Sequence, residues 1–267
     1  MDPLKYCICA LTLWAKQHGV SKNVLGFLGG ILIQIMAARI WQFYPKALPS
    51  RLISFFFDVY SNWKWPQSVG LTPINASSYD LSLPVWMHSN EAQDREHVMP
   101  IITPVFPAQN ATANLTQRTL AVMKLELERG RGICKKINDC NANWEELFED
   151  NDVFDKYAVF LQVNAIAPAQ VPVDESNPNS QTCVSTVYYD MWKGFCNAHI
   201  HYLVTYIEMW PDAYAKLVHP FQRNFKRPCT DDKNAPHEHL RYFGLKLNHA
   251  KMQSDGKKAP NLTFSHI

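Results

Sequence analysis

The stretch Leu11–Met36, LTLWAKQHGVSKNVLGFLGGILIQIM, decides how the rest of the 267-residue chain reads. Before Gly19, the apolar residues Leu11, Trp14 and Ala15 recur at helical spacing and Lys16 and Gln17 fall on the other side, the pattern of an amphipathic helix. After it, Asn23 is placed to cap a second helix, expected over Asn23 to Phe43, with Gly26, Gly29 and Gly30 in its first two turns. Bare backbone at a helix start beside two lysines suits a phosphate, because unpaired N–H groups and the helix dipole both favour an anion. The same glycines equally serve close packing of helices. No Walker lysine or Rossmann glycine pattern accompanies them, so spacing alone leaves both readings open.

Working outward, composition sets the class. Apolar and aromatic residues make up 47% of the chain, enough to bury a sizeable core, and the length suits two modest domains. A formal net charge of +2 neither demands nor excludes a nucleic-acid partner, so a local basic face has to carry that claim. The apolar run Val24 to Ala38 contains Gln34 and three glycines and stops at 15 residues, short of the roughly 20 that cross a bilayer. A buried core helix and no membrane partner are expected. Seven cysteines without a CxxC pair suggest neither a zinc site nor a closed disulfide framework. N-x-S/T sequons at Asn75, Asn110, Asn114 and Asn261 are read as chance matches, because Met1 to Leu13 is interrupted by charge and has no clear cleavage site.

Along the chain, helices are expected at Pro3 to His18 and at Arg51 to Asn62 behind a Ser50 cap. From Trp63 to Gln109 six prolines exclude long helices, and Trp63, Trp65 and Trp86 supply the area to dock this stretch as a wrap. A strong helix is expected from Thr112 or Asn114, with Leu120, Met123 and Leu127 inward, Glu126 and Arg129 outward, and breaks at Gly130 and Gly132. A short amphipathic helix follows Asn143, and a boundary falls at about Asp150 to Phe154. Beyond it, Tyr157, Val159, Leu161 and Val163 alternate as in a half-buried strand. A Pro- and Ser-rich loop, a helix over Thr186 to Trp210, and strands at Ala213 to Val218, Leu240 to Leu247 and Asn261 to Ile267 complete an α+β second domain.

No catalytic set completes itself. The carboxylate pairs Glu145–Glu146, Asp150–Asp152 and Asp231–Asp232 lie in polar segments and read as solvated. His199 and His201 stand two apart on a helix and point away from each other, and His237 with His239 has no third ligand nearby. Arg223, Lys226 and Arg227 interleave with Phe221 and Phe225, a composition that can track phosphates and stack bases, or form an ordinary solvated loop.

The runs LTLWAKQHGVSKNVLGFLGG, QFYP, WKWPQSVGL, DREHVMPIITPVFPAQNATANLT and HPFQRNF, in this order, closely resemble the eukaryotic nuclear poly(A) polymerase family. The resemblance implies a helical central domain over residues 1–152, with the proline-rich wrap at 63–109, followed by an RRM-like (ferredoxin-like) α+β sandwich over 153–267 that stops before its last helix. It implies ATP as substrate, Mg²⁺ or Mn²⁺ as the family's metal, RNA and 3′-end processing factors as partners, and a nuclear location. The family's metal-binding aspartates and the Gly-Ser motif before them are not among these residues, so this chain would supply the ATP-closing and RNA-holding parts and no catalytic or metal-ligating residue. Residue by residue, Lys16, Asn23, Gly29, Gly30 and Ile31 match ATP-contacting positions, whereas Thr12 stands for the main phosphate lysine and Ser21 for a tyrosine. RNA contacts are assigned to Arg223, Lys226 and Arg227. The alternative is a non-catalytic RNA-binding or scaffold paralogue that tolerates Thr12 and Ser21.

Overall fold

Asp2 opens the first helix by accepting the backbone N–H of Leu4 on its carboxylate at 3.0 Å, and Pro3 at the first helical position needs no N–H partner. This helix, α1 (Pro3–Gln17), is followed by α2 (Gly30–Phe43) and α3 (Pro49–Ser61). The computed structural model describes residues 2–74, 83–88, 92–149, 153–167, 170–172, 182–184, 186–209, 214–221, 237–248, 252 and 254. The chain divides into two compact units, Met1–Asp152 and Val153–Ile267.

In the first unit α1, α2 and α3 pack on one another, and α3 packs on the long α5 (Gln117–Asn138). Trp14 lies at their meeting point, fully buried, with its ring edge-on to Phe57 at 4.9 Å and to Phe56 at 6.4 Å. Tyr60 completes the aromatic core and donates its hydroxyl to the Met36 carbonyl at 2.9 Å. The proline-rich stretch forms no long helix, only the short α4 (Ala92–Glu96). It docks through Val69, Trp86, Met99 and Ile101, all buried, and through backbone bonds from Val69 to Pro100 and from Ile102 back to Val69. A short α6 (Glu145–Phe148) closes the unit, its Leu147 buried against α1 and α5.

Three expectations change here. The helix expected from Asn23 does not start there: a single 3-10 turn covers Asn23–Leu25, Gly26 turns left-handed at φ 75°, and α2 begins at Gly30. Ser50 is not the cap of α3, because Pro49 takes the first helical position and Leu48 precedes it in extended conformation. Gly130 and Gly132 do not break α5, which runs unbroken to Asn138 behind a capping box of Thr116 and Thr119. Gly130 faces Phe57 so closely that a Cβ would enter the ring, so this glycine lets α3 and α5 approach.

The second unit starts with α7 (Val153–Lys156) and β1 (Val159–Ala167), continues through the hairpin β2 (Gln170–Pro172) and β3 (Thr182–Val184), and then α8 (Thr186–Met209). The strands β4 (Ala215–Pro220) and β5 (His237–Leu247) join β1 in an antiparallel sheet of order β1-β5-β4. Helix α8 packs on one sheet face, so the architecture is α+β. The β2–β3 hairpin replaces part of the expected loop. The strand expected at Asn261 to Ile267 lies outside the described residues, as do Asp150, Asp152, Asp231 and Asp232.

Among the described residues no helix is long and apolar enough to cross a membrane. Burial pushes the Cys7 thiol from the usual 9.0 up to about 12 and the Cys134 thiol up to about 11, the latter partly offset by Ser54. A raised thiol pKa means that the protonated form favours folding below pH 9 and that this contribution fades as pH rises toward the folded-state value. At pH 8 iodoacetamide is therefore expected to label exposed Cys9 and Cys140 quickly and to leave Cys7 and Cys134 unmodified until the protein is unfolded. Peptide mass spectrometry reads the four sites separately, and early labelling of Cys134 would contradict the packing of α3 on α5.

Candidate functional site

The segment between α1 and α2 is a loop closed on itself. The Leu28 N–H donates to the Val20 carbonyl at 3.3 Å, and Ser21 and Leu28 pair as an isolated parallel bridge. This closure brings Asn23 beside Gly29, where a Cβ would stand 3.6 Å from that of Asn23. At Gly30 a Cβ would meet nothing within 4 Å. Gly29 caps α2 without any side-chain hydrogen bond, and Ile31 in the first turn is 56% exposed. The sequence therefore places a bare, solvent-facing helix N-terminus next to an asparagine, which is the arrangement that receives an anion or a polar ligand.

Residues 88 and 91 positions further along hold this loop. Asn23 donates its Nδ2 to the Ala111 carbonyl at 2.9 Å, and Asn114 Nδ2 reaches the Asn23 carbonyl at 3.5 Å. Gly26 lies against the Asn114 carbonyl and the Thr119 side chain, at 3.0 and 3.2 Å from a constructed Cβ. Its positive φ and this contact together require glycine. The segment that supplies Ala111 is itself fixed by Asn110, whose Oδ1 accepts from the N–H groups of Ile101 and Thr112 at 3.1 and 3.0 Å. The sequence runs NVLGFLGG and MPIITPVFPAQNAT are thus one piece of structure. With Nδ2 committed to Ala111, Asn23 Oδ1 is buried with no hydrogen-bond partner, an acceptor whose desolvation nothing in the protein offsets.

The other predicted site residues of the first unit lie on α1 and on the turn itself. Thr12 and Lys16 stand one helical turn apart on α1, half-buried and exposed respectively. Ser21 is buried in the bridge, and Lys22 is exposed with φ 73°. Arg223, Lys226 and Arg227 lie outside the described residues. His199 and His201 each face their own helix carbonyl, of Phe195 at 2.8 Å and Ala198 at 3.0 Å.

Glu126, expected to face outward, is only 2% exposed and accepts from Arg129 Nε at 3.0 Å. His18 lies beside it, Nδ1 at 3.8 Å from Glu126 Oε2, Nε2 at 2.9 Å from the Leu147 carbonyl and 2.5 Å from Arg129 Nη2. This cluster ties the end of α1, immediately before the loop, to α5 and α6. An inward glutamate at i and an arginine at i+3 is indistinguishable in sequence from an exposed helix pair; the buried histidine 108 positions earlier was the missing clue.

The model of the poly(A) polymerase central domain matches residues 4–150, more than half of the chain. The chain belongs to the poly(A) polymerase family. Nuclear poly(A) polymerase 2 of Arabidopsis thaliana is 45% identical over 157 residues, covering 59% of this chain and 19% of that protein. Nuclear poly(A) polymerase 1 of the same plant is 35% identical over 251 residues, 93% of this chain and 31% of its own length. Poly(A) polymerase PAPalpha of Candida albicans is 33% identical over 232 residues, 86% of this chain and 38% of its own length. The chain therefore spans between about a fifth and two fifths of these relatives. The loop of Asn23, Gly29 and Gly30 lies wholly within the matched central-domain region. Among the described residues no three His, Cys, Asp or Glu side chains come together to hold an ion.

Proposed function

We propose that this chain supplies the ATP-closing and RNA-holding parts of a poly(A) polymerase, the family activity being template-independent addition of adenosines to RNA 3′ ends from ATP in the nucleus, in company with 3′-end processing factors. The observation that carries the reading is the convergence of the two central-domain motifs on one open helix N-terminus with a buried, unpartnered Asn23 Oδ1. In this reading the N–H groups of Gly30 and Ile31 face the nucleotide, and Asn23 Oδ1 accepts from a nucleoside donor, which removes its desolvation penalty. Lys16 supplies a cation to the triphosphate. Thr12 supplies none, so the grip on phosphate is weaker than a lysine would give. The nuclear names of the Arabidopsis relatives support the location.

The second unit is assigned to RNA as an RRM-like domain. Its β1-α8-β4-β5 order with strand order β1-β5-β4 supports this, since it is the first part of a ferredoxin-like βαββαβ unit. Arg223, Lys226 and Arg227, between β4 and β5, are its proposed phosphate contacts.

The test uses the purified 267-residue chain with ATP and an oligo(A) primer. No incorporation of ATP is expected. RNA affinity should fall steeply between about 50 and 200 mM salt. ATP affinity should rise about tenfold in Thr12→Lys, worth roughly 1.4 kcal/mol from one new charge-assisted contact, and fall in Asn23→Ala. ATP binding indifferent to both substitutions would overturn the assignment of this loop.

A further inference from the structure

Between Asp2 and Asp58 the chain carries none of its 24 Asp and Glu residues, whereas the same stretch holds Lys5, Lys16, Lys22, Arg39, Lys46 and Arg51. The last three bracket the corner where α2 gives way to α3. Residues 41 to 46 are exposed without interruption, and so are Leu48, Ser50 and Arg51. Leu48 precedes α3 in extended conformation with 67% of its surface open, and Phe43 and Tyr44 are 49% and 40% exposed. Large apolar groups left this open on neighbouring residues make a patch, which a scatter of single exposed side chains does not.

The side chains of the corner form one row. The Arg39 guanidinium lies 4.6 Å from the Phe43 ring centroid, Phe43 meets Tyr44 edge-on at 6.4 Å, and Tyr44 stacks on Phe55 at 4.2 Å and 25°. Arg51 stands one helical turn before Phe55 on α3. A cation therefore closes each end of three rings, and Lys46 sits in the turn between the two helices. Among the described residues no ion pair engages Arg39, Lys46 or Arg51. Arg39 spends one N–H on Gln42 Oε1 at 3.0 Å and keeps further donors. Asp58, the first carboxylate beyond the row, is already paired with Arg131 at 3.0 Å. Pro45 and Pro49 restrict the backbone on either side of Leu48, which keeps the ordering cost of binding small. The corner is also remote from the nucleotide loop, because the 14 residues of α2 that separate it from Gly30 span about 21 Å.

We propose that this corner docks an acidic peptide whose carboxylates flank an aliphatic or aromatic side chain. The carboxylates pair with Arg39 and Arg51, and the apolar group packs on Phe43, Tyr44 and Leu48. Charge complementarity selects an acidic partner, since three cations stand here in a stretch that holds no carboxylate to repel it. Guanidinium groups grip carboxylates bidentately, and arginine beside aromatic rings is the pairing that carries most binding energy at protein interfaces. A nucleic acid suits the row less well. Bases gain by stacking on free ring faces, whereas one face of Phe43 lies under Arg39, one face of Tyr44 is taken by Phe55, and the most open group, Leu48, is aliphatic.

The experiment selects a random twelve-residue phage library on the immobilised whole chain and counter-selects on the double variant Phe43→Ser/Leu48→Ser, which keeps every charge and is checked for folding by circular dichroism. Peptides kept by the parent and lost by the variant are expected to carry at least two Asp or Glu around a Leu, Ile, Phe or Trp. These peptides, fluorescein-labelled, are then read by anisotropy, and Arg39→Glu and Arg51→Glu should each weaken them about tenfold. A selection that returns no peptide distinguishing parent from variant overturns the proposal. So do distinguishing peptides that lack carboxylates, or whose affinity neither charge reversal moves. Labelled oligo(A) bound by the parent and lost by the double variant would make the corner an RNA surface and overturn it too. Both substitutions lie outside the loop of Asn23 and Gly30, so this result and the test of the nucleotide reading stand or fall separately.

Discussion

Trp14→Ala is expected to lower the melting temperature of the first unit by roughly 10 °C, from a loss of about 3–5 kcal/mol. The indole is completely buried and touches Phe56, Phe57 and His18, so truncation removes transfer energy and leaves a cavity that α1 and α3 can close only by shifting. Trp14→Phe separates two contributions. The buried indole Nε1 has no hydrogen-bond partner, and phenylalanine removes that unmatched donor along with part of the ring volume. The phenylalanine variant is expected to lose less than half of what alanine loses. Differential scanning calorimetry of the first unit's transition measures both, and equal losses would mean that volume alone decides.

Glu126→Ala is the second large effect. Removing one member of a buried charged pair leaves the other without compensation, typically a loss of 3–5 kcal/mol. Arg129 is 27% exposed and can recover part of its hydration, which puts the expected loss near the lower end, about 3 kcal/mol. His18 loses its carboxylate neighbour as well. A double-mutant cycle with Arg129→Ala should give a coupling of about 1–3 kcal/mol, read from urea midpoints at constant m-value. Additive losses would show that the pair does not act as a unit. Because the cluster fixes the end of α1, Glu126→Ala should also weaken ATP binding without touching the nucleotide-facing loop.

The contrast between Glu126 and Leu127 shows what sequence periodicity can and cannot reveal. Leu120, Met123 and Leu127 announce an inward face by their spacing, and the structure buries all three. Glu126 sits on the edge of that same face, where Arg129 pairs with its carboxylate at 3.0 Å and His18, far away in sequence, stands 3.8 Å from it. Periodicity sees one helix at a time, so a polar contact across 108 positions leaves no local mark. The same reason explains the start of α2. An asparagine before an apolar run suggests a cap, yet Asn23 spends its side chain on Ala111 and leaves the helix to begin at Gly30. Gly130 misled for the opposite reason: its helix-breaking tendency of about 1 kcal/mol is small beside the packing of α3 on α5 that it permits. The motifs NVLGFLGG and MPIITPVFPAQNAT could be picked out as distinctive, but that they touch is a property of the fold.

The bond from Asn23 to Ala111, spanning 88 positions, and the contact of Gly26 with Asn114 and Thr119 also set an order of events at the ribosome. The loop between α1 and α2 leaves the exit tunnel long before the segment that shapes it. At translation rates of about 5–20 residues per second, some 90 residues take roughly 5–20 s. During that interval the glycine-rich turn has neither its anchor nor its floor. A nascent chain stalled before residue 111 should therefore expose Phe27 and Leu28 to protease and chaperone, and one stalled after α5 has emerged should not.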